Sequence, residues 1–286
     1  MHGIGYTLAG LLVGAAVGAT GVGGGSLMTP VLILFYGVAP ALAVGTDLLF
    51  AAISKSFAVW LHRRNGSVDW RIVAWQAAGS VPAVLVTLLW LKSLDHGVTL
   101  DRLIKLTLSG AIVITALFTL FQEAIAGRLR PSARLNSPKH DPRWQRGLTV
   151  ASGVLIGTVV TISSVGAGVI GMMLLLLLYP RHEPIKLVGS DLAHAVLITA
   201  IAGLGHARLG TVDYSMLGWL LIGALPGIWL GSRFAFGLDG RTLKQAVAGL
   251  LLVVGGTTLY KALLPPETPA VVASGAAART ANAEMR

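Results

Sequence analysis

Long apolar runs separated by short polar breaks fill most of the chain. They fall at about Ile4–Thr20, Leu27–Gly37, Ala41–Leu61, Ile72–Leu91 and Leu103–Phe121. A polar, basic stretch from Gln122 to Arg146 comes next, then Leu148–Ser163, Val169–Tyr179, Ile185–Gly205, Met216–Phe236 and Thr242–Leu264. A helix of ~20 apolar residues crosses the ~30 Å hydrocarbon core of a bilayer, so the pattern predicts an all-α polytopic membrane protein. The second and seventh runs are too short to cross as straight helices. They predict broken or re-entrant segments, one in each half of the chain.

The halves repeat each other. His62-Arg-Arg-Asn-Gly-Ser-Val-Asp-Trp70 matches His206-Ala-Arg-Leu-Gly-Thr-Val-Asp-Tyr214 at an offset of 144. The same offset pairs Gly45-Thr46-Asp47-Leu48 with Gly189-Ser190-Asp191-Leu192, and Gly79 and Pro82 with Gly223 and Pro226. Upstream, Val22-Gly23-Gly24-Gly25 meets Val165-Gly166-Ala167-Gly168 at 143. Several matches kept in one order indicate a true internal repeat. The implied organisation is a first membrane repeat over 1–121, a cytoplasmic basic connector over 122–146, a second repeat over 147–264 and a disordered tail over 265–286.

Five segments per repeat is an odd number, so the two repeats are expected to be inverted relative to each other in the membrane. Loop charge agrees. Placing the connector inside puts Arg128, Arg130, Arg134, Lys139, Arg143 and Arg146 on the cytoplasmic side, and alternation adds Arg63, Arg64, Arg71, Arg181, Lys186, Arg233, Arg241 and Lys244. Only Lys92, Arg102, Lys105, Arg208, Lys261, Arg279 and Arg286 fall outside. That asymmetry follows the positive-inside rule.

Composition sharpens the class. The 286 residues are 54% hydrophobic and 12% charged, with a mean hydropathy of +0.75. Soluble domains carry about 25% charged residues. The net charge of +10 is accounted for by loops that set topology, so nucleic acid is not an expected partner. The expected surroundings are a lipid bilayer. With no cysteine there is no disulfide framework, thiolate metal site or cysteine nucleophile, and neither cofactor nor metal is expected. The N-terminus lacks a basic leader and an A-x-A-like cleavage site, so it does not read as a signal peptide.

Candidate chemistry lies in the breaks and in the few polar residues within spans. Gly21-Val-Gly-Gly-Gly-Ser26 holds four glycines in five residues, each costing ~1 kcal/mol inside a helix. A backbone break is therefore expected, and such breaks occur at membrane depth only against protein or a wet cavity. The helix restarting there points free N–H groups at the cavity, which suits an anion. Ser163-Ser-Val-Gly-Ala-Gly168 is the counterpart. Gly23, Gly24, Gly25, Ser26, Thr46, Ser163, Ser164, Gly166, Gly168 and Ser190 are thus candidate contacts to a small anionic substrate. The glycines alternatively serve only close helix packing.

Asp47, Lys55, Asp191 and His194 sit inside apolar runs. A charge at membrane depth costs at least ~2.5–3.5 kcal/mol, which makes function the default reading. Asp47, Asp191 and His194 are candidates for carrying a coupling proton, with His194 one turn beyond Asp191 on the same helical face. Lys55 is a candidate anion counter-charge. It lies too far along and around its helix for a direct bridge to Asp47. The alternative for each is a purely structural hydrogen bond. Gly66 and Gly210 fit tight reversals, Asp69 and Asp213 fit helix N-caps, and Trp70 and Tyr214 fit interface anchors.

The Gly-Val-Gly-Gly-Gly start with Pro30 downstream, the Ala43-Val-Gly-Thr-Asp47 segment, the Gly66-Ser-Val-Asp-Trp70 turn and their second-half echoes resemble the TauE/SafE sulfite exporter family, also known as the 4-toluene sulfonate uptake permease family. The resemblance runs from about Gly10 to Leu264. It implies a bacterial inner-membrane carrier of small sulfur-containing anions: sulfite, sulfonates, sulfoacetate or thiosulfate. Asp47 stands where many members have Ser, and Ala167 interrupts the second glycine run. The expected function is a secondary transporter, an exporter with proton coupling. A passive anion channel is the main alternative, and an intramembrane aspartyl enzyme a weaker one. Neither H-E-x-x-H nor G-x-S-x-G occurs, so no enzyme activity is expected.

Overall fold

A computed structural model describes residues 2–20, 25–62, 68–94, 98–129, 142–180, 182–234, 248–249, 252–253 and 255–260. Nine helices carry labels: α1 (His2–Thr20), α2 (Gly25–Tyr36), α3 (Pro40–His62), α4 (Trp70–Ser93), α5 (Val98–Leu129), α6 (Pro142–Ser163), α7 (Val169–Leu178), α8 (Pro184–Arg208) and α9 (Tyr214–Phe234). Backbone at 248–249, 252–253 and 255–260 is helical as well, and the described residues contain no strand. Trp70–Ser93, Leu103–Leu120, Arg143–Ser163, Ile185–Arg208 and Tyr214–Arg233 are long and apolar enough to cross a membrane. The short runs form short helices, 12 residues in α2 and 10 in α7.

Two boundaries differ from the hydropathy reading. α5 continues eight residues beyond Phe121 to Leu129, and α6 begins at Pro142 rather than at Leu148. Helical hydrogen bonding does not stop where hydropathy does, and Pro at the first turn lacks only an N–H that has no helical partner anyway. Residues 130–141 of the connector and the tail lie outside the described residues.

Polar residues set several ends. The Asp69 side chain accepts from the Arg71 N–H at 2.9 Å, and Asp213 Oδ1 accepts from the Met216 N–H at 2.9 Å. Both are N-caps that satisfy donors left over in a first turn. Gly210 turns the chain between α8 and α9 with φ of +75°. Trp70 and Tyr214, the first residues of α4 and α9, are exposed.

The two halves pack by exchange. α1 lies against α9, and α4 lies against α6. A Cβ placed on Gly10, Gly14 or Gly18 of α1 would overlap the main chain of Leu220, Ala224 or Ile228 on α9, and one on Gly223, Gly227 or Gly231 would overlap that of Thr7, Leu11 or Ala15. Gly153 and Gly157 of α6 make the same approach to Gln76 and Ser80 of α4. Small residues let membrane helices come this close. The contact pairs recur at the sequence offsets, because Gly10–Leu220 corresponds to Gly153–Gln76 and Gly14–Ala224 to Gly157–Ser80.

Candidate functional site

The two short helices begin beside two buried aspartates. Asp47 on α3 is fully buried; its Oδ2 accepts from the Thr29 N–H at 3.2 Å and from the Thr29 hydroxyl on α2. Ser164 Oγ, from the other half of the chain, adds a third donor at 3.0 Å. Asp47 Oδ1 has no hydrogen-bond partner among the described residues. Asp191 on α8 takes the equivalent place against α7. Its Oδ1 lies where a Cβ on Gly171 would sit, in the first turn of that helix. Carboxylates near helix N-termini are favoured by the partial positive charge there.

The break between α6 and α7 is fully described. Ser164 has φ of +59°, Gly166 +110° and Gly168 +126°. The last two angles are ones that a side chain disfavours. Ser163 Oγ donates to the Val159 carbonyl at 2.8 Å and lies 3.3 Å from the Val165 N–H and C=O. Lys55 Nζ donates to the Ala167 carbonyl in the middle of the break at 2.7 Å. The first half thus holds the second half's break through Asp47 and Lys55. In the first break, Gly23 and Gly24 lie outside the described residues, and Gly25 and Ser26 open α2.

Lys55, on α3 with Asp47, is 2% exposed. Among the described residues no carboxylate oxygen comes within 4.0 Å of its nitrogen, in accord with the helical spacing that argued against a direct bridge to Asp47. His194 is also buried, and its Nε2 lies 2.8 Å from Ser80 Oγ on α4. The structure therefore gathers Asp47, Ser164, Lys55, Asp191 and His194 around the crossing of α3 and α8. The described residues hold no group of three metal-binding side chains.

Thr46 and Ser190 have a different setting. Thr46 Oγ1 accepts from the Asp213 N–H at 3.0 Å, and Ser190 Oγ accepts from the Asp69 N–H at 2.8 Å while donating to the Lys186 carbonyl. Each ties the start of a central helix to the turn of the opposite half. Gly45, beside Thr46, allows the Thr211 carbonyl to come close.

Sequence reasoning missed four contributors. Thr29 and Gly171 carry no signal of their own in an apolar run. Ser80 and Gln76 do, since the repeat aligns them with Ala224 and Leu220. An apolar cavity of about 380 Å³ lies between α5, α6 and α7, lined by residues such as Leu106, Ile114, Val159 and Ile170 and, from the break, Gly166. Thr107 supplies the one side-chain hydroxyl among its lining residues, so the cavity offers little to orient an anion.

The family described as sulfite exporter TauE/SafE matches residues 6–258. The chain belongs to this family. It is a multi-pass membrane transporter. TauE/SafE relatives include the probable membrane transporter protein YjnA of Bacillus subtilis (strain 168), 34% identical over 257 residues, 87% of this chain and 96% of the relative. YdhB of the same organism, also named a probable membrane transporter protein, is 28% identical over 85% of this chain and 96% of its own length. A probable membrane transporter protein of Xylella fastidiosa (strain 9a5c) is 27% identical over 85% and 88% of the two chains. No solved structure matches the chain. Membership in the TauE/SafE family places the buried polar cluster within a transporter.

Proposed function

We propose that the protein is a secondary transporter that exports small sulfur-containing anions of the sulfite, sulfonate, sulfoacetate or thiosulfate class, coupled to a proton. The observation that carries this reading is a buried carboxylate at the start of each short helix, Asp47 against α2 and Asp191 against α7, with the buried Lys55 ammonium held on the Ala167 carbonyl of the second break. A helix start favours an anion, and Asp47 and Asp191 already occupy those places. Anion and carboxylate compete for the same positive field, and a proton on the carboxylate relieves the competition. Asp47 Oδ1 has no hydrogen-bond partner among the described residues and is the atom that carries the proton in the first half. Asp191, with His194 one turn away, carries it in the second.

In this reading the N–H groups and hydroxyls of Gly23–Ser26 and Ser163–Gly168 meet the anion. Thr46 and Ser190 act as latches between the halves. The repeats lie inverted in an inner membrane and rock about the crossing of α3 and α8 to alternate access. Export proceeds when the anion gradient exceeds the inward pull on the proton. The sulfur class rests on the family description.

Flux from proteoliposomes loaded with sulfite, thiosulfate or methanesulfonate tests this. Wild-type flux should follow an imposed pH gradient, and Asp191→Asn should lose that response. Wild-type flux indifferent to the gradient, with transport intact in Asp191→Asn, refutes proton coupling and favours a passive anion channel. Normal binding and flux in Gly24→Leu refutes anion binding at the break.

A further inference from the structure

The repeat provides an internal comparison for the polar residues of the site. Leu220, Ala224 and Phe50 stand at the positions 144 away from Gln76, Ser80 and His194. On their side the interior is dry: all three are buried in one hydrophobic cluster. On the other side the same framework holds an amide, a hydroxyl and an imidazole. Ser80 and His194 satisfy each other at 2.8 Å. Gln76 does not share in this. It lies one turn before Ser80 on the same face of α4, its side chain is fully buried, and neither Oε1 nor Nε2 has a hydrogen-bond partner among the described residues.

A buried amide without partners destabilises a fold. Leucine is the residue at the equivalent place in the other half, so the backbone geometry does not require Gln. We infer that the Gln76 amide is a ligand-binding, specificity-determining group of an off-axis site between α4 and α8 that takes a small oxoanion. The two Nε2–H donors match the oxygens of such a ligand, and the Ser80–His194 pair one turn along α4 lines the same face. Oε1 accepts from a hydroxyl or water that enters with the anion. Sites that hydrogen-bond a substrate discriminate strongly against molecules that cannot reciprocate, so the transporter's selectivity sits on this side of the crossing. The inference rests on the transporter reading and adds the position and donor that recognise the anion.

The test uses the full-length protein purified in detergent, with sodium sulfite, sodium thiosulfate and sodium methanesulfonate as probes. Thermal unfolding and ligand affinity are measured for wild type, Gln76→Leu and Leu220→Gln. Without ligand, Gln76→Leu should raise Tm by about 2–4 °C, the scale of one relieved polar group in a chain of this size. It should also weaken anion affinity by at least about 10-fold, the loss of one good hydrogen bond. Leu220→Gln should lower Tm and leave affinity unchanged. A lower Tm for ligand-free Gln76→Leu, or its failure to fold, overturns the inference, because the amide would then be structural. Wild-type affinity in Gln76→Leu overturns it as well. If none of the three anions binds the wild type, the sulfur-anion reading fails, and the sign of the ligand-free Tm change alone decides the role of Gln76.

Discussion

Lys55→Met removes the buried ammonium that the first half sends into the second half's break while keeping an unbranched side chain of similar length. Two losses follow. The 2.7 Å bond from Nζ to the Ala167 carbonyl disappears, and hydrogen bonds involving a charged group contribute about 1.5–3 kcal/mol. The carboxylates of Asp47 and Asp191 also lose their cation. Stranding a buried charge brings the total to about 3–5 kcal/mol. The thermal midpoint should therefore fall on the order of 10 °C, at roughly 2–4 °C per kcal/mol. Adding Asp191→Asn removes one of the stranded charges. The double variant should recover about 1–2 kcal/mol relative to the sum of the single changes. The ceiling is ~4 kcal/mol, the interaction of unit charges 4 Å apart at an effective dielectric of 20. A double-mutant cycle by unfolding in detergent, read by tryptophan fluorescence, measures this coupling. Additivity within about 0.5 kcal/mol would refute the electrostatic link between α3 and α8.

Other consequences are as accessible. Gly171→Ala introduces a Cβ where Asp191 Oδ1 lies, so it should displace the carboxylate from α7 and lower proteoliposome flux several-fold without altering any charge. Thr46→Val and Ser190→Ala each strip an acceptor from a backbone N–H of the opposite half; each should lower stability by about 1–3 kcal/mol, additively, with anion affinity unchanged in binding titrations. A fall in affinity with no fall in stability would instead make those hydroxyls substrate contacts. Gly14→Ile drives a branched side chain into the main chain of α9 and should cost more than the ~1–3 kcal/mol of ordinary overpacking, seen as loss of the monodisperse peak in fluorescence-detected size exclusion.

Hydropathy and the repeat made much of this architecture legible. The positions of the long helices, the two short helices and the caps at Asp69 and Asp213 follow from local signals: apolar length, glycine density and an acid before an apolar run. The intramembrane charges were equally visible, because an ionised group in an apolar run stands out. Partners were not. That Lys55 reaches the Ala167 carbonyl, or that Ser164 donates to Asp47 across 117 positions of sequence, depends on how two helices cross, which no local pattern encodes. Thr46 and Ser190 show the same limit, since a hydroxyl beside an aspartate suits an anion or a backbone latch equally well. Gln76 was hidden for another reason. Agreements such as Gly79 with Gly223 define the repeat, whereas the Gln76–Leu220 mismatch marks the place where equivalent positions differ in chemistry.

The exchange of helices between halves has an evolutionary corollary. Because α1 packs on α9, and α6 on α4, the first helix of each half is covered by the fourth helix of the other. A half-length ancestor would have left a ridge of bare backbone facing lipid, and a second copy of itself was the natural cover. Joining the halves in one chain makes this pairing intramolecular and lets equivalent positions differ, as Gln76 and Leu220 do.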